Sequence, residues 1–250
     1  MSANLIFDLD GVVYLGNETV PGAGETIERL HDAGHNVVFC TNNSSRTRAQ
    51  SAEKIHRVTG YAAHADQIAS SAMAAGRLIE SSARVLRVGG DGVAEAISLA
   101  GAHEVSGPHA DTVVVGIDIS FDYDLLDRAA AAVRNGARFI ATNRDVTYPS
   151  PTGLKPGAGS IVAAVEAASG VVPVNAGKPG STMRKLLGEM LVDGPVIMIG
   201  DRPDTDLAMA DVEGWVSVLV ETGVTPPGTA VDPPPTHRIS SIVGVPDLIG

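Results

Sequence analysis

The chain has 250 residues, 44% of them hydrophobic, and a formal net charge of −11. That much apolar sequence supports a large core in one or two domains, and the acidic balance argues against a nucleic-acid polymer as partner. A single cysteine, Cys40, rules out an internal disulfide; no basic leader precedes Leu5 and no apolar run approaches about 18 residues, so the expectation is a cytoplasmic protein without a membrane span.

The first element is Leu5-Ile6-Phe7, which runs straight into Asp8-Leu9-Asp10-Gly11. Without polar alternation it reads as a buried parallel strand whose carboxylates surface at its carboxyl end, where open α/β sheets bind ligands. Residues two apart on a strand point the same way, so Asp8 and Asp10 share a side while Leu9 turns away. Two like charges that close need a cation between them, and Mg²⁺ suits an all-oxygen site. A helix follows over 22–33, stopped by Gly34, and then a second buried strand over 36–40. That strand ends in Thr41-Asn42-Asn43-Ser44-Ser45-Arg46. A Thr hydroxyl and free main-chain N–H groups there suit phosphate oxygens, although Asn and Ser are also ordinary turn residues.

Helical sequence is expected over 47–58 and 65–80, a strand over 83–88, a helix over 93–100 and a strand over 112–116. A helix over 123–134 ends at Asn135-Gly136, and a strand over 137–142 leads into the polar loop Asn143-Arg144-Asp145-Val146-Thr147-Tyr148. A small-residue helix covers 156–168. The stretch from about 82 to 176 thus has its own strand–helix alternation and reads as a separate small α/β domain. A strand over 171–176 feeds Gly177-Lys178-Pro179, and a helix follows over 182–191. The apolar strand 195–199 ends in Gly200-Asp201-Arg202-Pro203-Asp204-Thr205-Asp206. A helix over 206–211, a strand over 215–220, a Pro-rich loop over 225–236, and a last short strand (238–239) and helix (245–249) complete the chain.

Four buried strands are therefore expected to end in Asp8-x-Asp10, Thr41-Asn42, Lys178 and Asp201. Each alone has an ordinary structural explanation. Together they supply a nucleophile, an acid/base, phosphate donors, a cation and a metal ligand, always at strand ends.

These segments, Phe7 to Tyr14, Thr41 to Ser45, Ala141-Thr142-Asn143, Gly177-Lys178-Pro179 and Gly200-Asp201-Arg202 with Thr205-Asp206, are similar to the motifs of the haloacid dehalogenase (HAD) superfamily. They resemble its NagD/p-nitrophenylphosphatase branch from about residue 4 to 248. One departure is Gly180-Ser181 after Lys178-Pro179, where the branch usually has Ser or Glu and then Pro. The resemblance implies a Rossmann-like parallel-sheet core, residues 1–81 and 177–250, with an α/β cap of type IIA inserted at 82–176.

The activity implied is Mg²⁺-dependent hydrolysis of small phosphorylated metabolites through an aspartyl-phosphate. Asp8 would be the nucleophile, Asp10 the acid/base, and Lys178 the neutralising cation. Mg²⁺ would be held by Asp8, Asp201 and the main-chain carbonyl of Asp10, with Asp206 supporting the metal or Lys178 from behind. Thr41, Asn42 and Asn43 would hold the phosphate, and Arg144, Asp145 and Tyr148 of the cap loop would meet the leaving group. The resemblance also implies a homodimer paired through the cap. A dehalogenase would need neither Asp10 nor Asp201. A phosphotransferase or phosphomutase of the same superfamily remains an alternative, as does a phospho-receiver module, although receivers are about half this length.

Overall fold

The computed structural model describes residues 2–150 and 153–249. Its central feature is a six-stranded sheet in the order His237–Ile239, Val216–Val220, Val196–Gly200, Asn4–Phe7, Asn36–Thr41, Ile68–Ser70, every neighbouring pair parallel. Asn4–Phe7 lies in the interior of this sheet, and all four of its residues are buried. Its period of two sends Leu5 and Phe7 to one face and Ile6 to the other. Leu5 and Phe7 pack with Phe39, Ile27 and Ile55. Ile6 packs with Val38, Met198, Met183 and Leu187. Burying side chains of this size contributes about 1.5–3 kcal/mol each, which fixes the strand in the sheet.

A second parallel sheet has the order Val174–Asn175, Arg138–Ala141, Thr112–Val115, Arg84–Val88, His103–Val105. One of its faces packs Val113, Val115 and Leu86 against Ala129 and Val133 of helix Tyr123–Arg134 and Val162 and Val165 of helix Ala158–Ser169. The other face sends Val85, Val114 and Ile140 into the same apolar cluster as Ile6 and Val38. Helices Ser71–Gly76 and Asp91–Leu99 fill the space between, and Gly76 stands so close to Ala96 that a Cβ would crowd it.

The α/β reading with parallel sheets agrees with this architecture, and several elements differ in detail. The helix expected over 65–80 is instead a 3₁₀ turn at Ala65–Gln67, the strand Ile68–Ser70 and a helix confined to Ser71–Gly76. Ile68–Ser70 is a strand because it completes the sheet beside Phe39–Thr41, a tertiary cause that local pattern does not carry. The strand expected over 171–176 shrinks to Val174–Asn175, with Val174 exposed, and belongs to the second sheet. The Asn143–Tyr148 loop turns into the hairpin Thr147–Ser150/Gly153–Pro156 at its end, and a small hairpin Tyr14–Leu15/Glu18–Thr19 follows the first strand.

Candidate active site

Parallel register brings the strand ends together. Phe7 is level with both Ile199 and Phe39, and the Asp8 main-chain N–H donates to the Ile199 carbonyl at 2.9 Å. Asp8 and Asp201, which follow their strands, and Thr41, which ends its own, therefore emerge at one edge. Lys178 reaches the same point from the loop after Val174–Asn175. The expectation of four buried strands thus holds for three, while the lysine arrives from an exposed edge of the other sheet.

Lys178 is the hub. Its ammonium donates to Asp8 Oδ1 at 2.6 Å, Asp206 Oδ1 at 2.7 Å and the Cys40 carbonyl at 3.1 Å. All three of its hydrogens are thereby used. Its own N–H donates to Asn42 Oδ1 at 2.8 Å. Burial works against the lysine charge, but Asp206 and Asp8 outweigh it and hold its pKa well above the ordinary value. Asp206 is fully committed, since its other oxygen accepts from the Arg202 N–H at 3.1 Å. Asp204 is exposed and faces Arg202 instead.

Asp8, Asp201 and Asp206 bring carboxylate oxygens within 4.8 Å of one another. Asp201 is held by the Val224 N–H on Oδ2 (2.7 Å) and by the Thr225 hydroxyl on its carbonyl (2.6 Å). Its Oδ1 is buried and has no hydrogen-bond partner. Gly11, at φ 96°, and Gly223 crowd this carboxylate, and a Cβ at either would overlap it. Burial raises the Asp8 carboxyl well above the carboxylate range, with Asp206 and Asp201 adding to the rise and Lys178 opposing it. Burial likewise pushes Asp201 up to about 7. Three ionised carboxylates against one ammonium leave two uncompensated negative charges, which one divalent cation cancels. The orphaned Asp201 oxygen and the hard all-oxygen donor set fit magnesium. The carboxylate of Asp10 stands outside this cluster, so any metal contact from Asp10 falls to its main-chain carbonyl.

These groups open into a cleft of about 880 Å³ between the two sheets, lined by Asp8, Asp10, Thr41, Asn42, Asn43, Asp145, Tyr148, Lys178 and Asp201 among others. The side chain of Asn42 is an internal brace as well as a wall, donating to Asp145 at 3.2 and 3.3 Å. Asn43 spends its side-chain oxygen on the Ser45 N–H and hydroxyl. Asn143 Nδ2 ties the second sheet to the first through the Asn42 carbonyl at 2.6 Å. Arg144 pairs with Glu166 at 2.7 Å, and its side chain is exposed outside the residues that line the cleft. Its loop reaches the cleft through Asn143, Asp145, Thr147 and Tyr148.

Two residues at the site, Lys54 and Tyr14, escape the strand-end logic, and both lie beside Asp10. Half-buried Asp10 has its pKa raised by burial and lowered by Lys54, Arg46 and Lys178 in that order. Lys54 comes from the middle of helix Arg48–Thr59 and stands 3.6 Å over the Tyr14 ring. A lysine between Glu53 and Ile55 carries no sequence signal beyond a solvated helix face, so neither it nor Tyr14 is marked by pattern.

Residues 5–103 match the family described as haloacid dehalogenase-like hydrolase, and residues 175–244 match a second HAD-hydrolase-like family. The chain is similar to the 5'-nucleotidase YutF of Bacillus subtilis, 37% identical over 246 residues, covering 95% of this chain and 94% of that one. It is similar in structure to the p-nitrophenyl phosphatase of Archaeoglobus fulgidus, with a TM-score of 0.90, 29% identity and 98% of each chain covered. It also resembles the glycerol phosphate phosphatase of Mycobacterium tuberculosis in complex with magnesium, with a TM-score of 0.88 at 32% identity over 96% of this chain and 74% of that one. With its strand-end carboxylates, its lysine hub and these relatives, the chain belongs to the haloacid dehalogenase-like hydrolases, in their NagD-like branch.

Proposed function

We propose that this phosphatase hydrolyses small phosphate monoesters, with magnesium bound, through a phosphoryl group carried on Asp8. The observation that carries the reading is the convergence of Asp8, Asp201 and Asp206 with Lys178 at the strand ends. Three relatives named for a nucleotide, glycerol phosphate and p-nitrophenyl phosphate support monoester hydrolysis as the shared chemistry.

An Asp8 oxygen attacks phosphorus, and the P–O bond to the alcohol breaks in line. Asp10 gives its proton to the departing oxygen, a role suited to a carboxyl whose pKa burial has raised. Asp10 then takes a proton from the water that attacks the aspartyl-phosphate, which frees Asp8 and inorganic phosphate. Lys178 holds Asp8 in place and offsets negative charge as the dianionic ester approaches. Thr41 and Asn42 would hold the phosphoryl oxygens, and Asp145 and Tyr148, which line the same cleft, would meet the substrate beside them. Asp8, Asp201 and the Asp10 carbonyl would hold magnesium, with Asp206 behind Lys178. Bound there, magnesium neutralises phosphoryl oxygens and the crowded carboxylates.

The same reading assigns 1–81 and 177–250 to a catalytic core and 82–176 to a cap, in a cytoplasmic homodimer paired through the cap. Among the described residues, no helix is long and apolar enough to cross a membrane.

The test is phosphate release from p-nitrophenyl phosphate. Turnover should require magnesium, stop in a chelator and return when the ion is restored. Asp8→Asn should bring it to background with the circular dichroism spectrum retained. Turnover near wild type in the variant or in the chelator overturns the reading.

A further inference from the structure

Lys54 is 5% exposed, and its ammonium faces the Tyr14 ring. Arg46 is half-buried beside it. Among the described residues, these are the two Lys or Arg side chains not exposed to solvent that have neither a hydrogen-bond acceptor nor an ion-pair partner. The other shielded cations are all engaged: Arg48 with Glu95, Arg87 with Glu104, Arg128 with the Asp124 and Ser106 carbonyls, Lys178 with Asp8 and Asp206, Arg184 with Glu213, Arg202 with Asp204 and Arg238 with Glu221. Of the acids nearby, Asp10 is the one whose charge acts on Lys54 most strongly, with no hydrogen bond between them, and two others are engaged elsewhere. Asp91 accepts from Gln50, and Asp118 accepts from the Gly89 N–H and from Ser120. A desolvated ammonium without an acceptor is costly, and a π face compensates only part of that cost.

Both residues border open space. They line the main cleft with Asp8 and Asp10, and they also line a side cavity of about 390 Å³, so they stand where the two meet. They sit on the Asp10 side of the site, since Lys54 and Arg46 act on the Asp10 carboxyl ahead of Lys178. If Asp10 protonates the leaving oxygen, this is the side from which the alcohol departs.

We propose that Arg46 and Lys54 form a second anion-binding subsite, selecting phosphate monoesters whose alcohol carries its own carboxylate or phosphate. The proposal rests on the phosphomonoesterase reading above and adds the chemical class of the leaving group to it. The guanidinium of Arg46 suits a two-oxygen contact, and the Lys54 ammonium, fixed over Tyr14, supplies a point charge. Burial takes the lysine down to about 8, so it is still largely charged at pH 7.

The experiment uses two esters that differ in one group. 3-Phosphoglycerate carries a carboxylate where glycerol 3-phosphate carries a hydroxymethyl group. Each is measured as a competitor of p-nitrophenyl phosphate turnover, which yields an inhibition constant whether or not the ester is itself hydrolysed. The phosphoglycerate should compete at least about tenfold more tightly, the scale of one charge-assisted hydrogen bond. Lys54→Met and, separately, Arg46→Gln should each move the ratio of the two constants toward one. Because both esters share the phosphoryl group, a general loss of fold or of phosphate binding leaves that ratio unchanged. A ratio near one in the wild type, or one that survives both substitutions, overturns the subsite while monoester hydrolysis stands. No magnesium-dependent turnover of p-nitrophenyl phosphate would instead sink the parent reading.

Discussion

At the scale of single residues, the site is a problem of charge. Asp201 shows how the protein handles it without a cation. Burial pushes this carboxyl up to about 7, Asp206 adds to the rise, and the Val224 N–H, Lys178 and Arg202 oppose it. An unfolded aspartate titrates near 3.9. Between about pH 4 and 7 the metal-free folded chain therefore keeps a proton that the unfolded chain has released. Stability contributed by this group falls as pH rises through that window and is level on either side of it. A cation bound to the ionised carboxylate must displace the proton, so binding strengthens over the same range. Magnesium should raise the thermal midpoint more at pH 8 than at pH 5.5. An equal rise at both would mean that Asp201 is not a ligand. Asp8, Thr41 and Asp201 were legible in the sequence, because each ends an apolar run with a polar group. Lys54 was not, because its burial comes from Tyr14 and the adjoining loop, and helical pattern carries no trace of them. Arg144 stood out by the clustering of a cation, an anion and an aromatic in its loop, and its partner Glu166, 22 residues away, carries no such local signal.

At the scale of elements, the helix Arg48–Thr59 links local signals to the site. Thr47 accepts from the Gln50 N–H at 3.1 Å, while the Gln50 side chain accepts from the Thr47 N–H at 3.0 Å, a reciprocal cap. Gly60 closes the other end in a left-handed conformation, with its N–H on the His56 carbonyl. Helical periodicity made this helix readable to within a residue or so, and these caps fix its ends. Ile68–Ser70 had no equivalent. Its three residues are too short for a period, and the alanines after it extend an apparent helix backwards. The hairpin strands Thr147–Ser150 and Gly153–Pro156 contain Pro149 and Pro156, which argue for loop in any local reading. Because the Thr47 cap fixes the start of the helix that carries Lys54, Thr47→Ala should cost about 0.5–2 kcal/mol in denaturant unfolding. A stability loss below about 0.3 kcal/mol would show that packing of Ala52 and Ile55 holds the helix without its cap.

At the scale of the whole molecule, the question is whether the two sheets behave as one body. Chains with an inserted domain commonly unfold in stages, because inter-domain surfaces are small and polar. Here the joint is apolar and buried. Ile6 and Val38 of the first sheet share a cluster with Val85, Val114 and Ile140 of the second, each at most 2% exposed. Polar ties cross the same joint: Asn143 to the Asn42 carbonyl, Thr142 to Ser44, and the Lys178 N–H to Asn42. The cleft with Asp8 on one wall and Tyr148 on the other depends on that joint. Folding the two sheets separately would open this shared cluster, at about 1.5–3 kcal/mol for each large side chain exposed. Calorimetry should therefore give one transition, with the calorimetric and van't Hoff enthalpies equal. Ile140→Ala should lower stability by about 2–5 kcal/mol and keep the transition single. If the wild type melts in two steps, or if Ile140→Ala detaches an early step from a late one unchanged in midpoint, the shared cluster is not what joins the sheets. The cleft geometry would then be one arrangement among several, set by what binds between them.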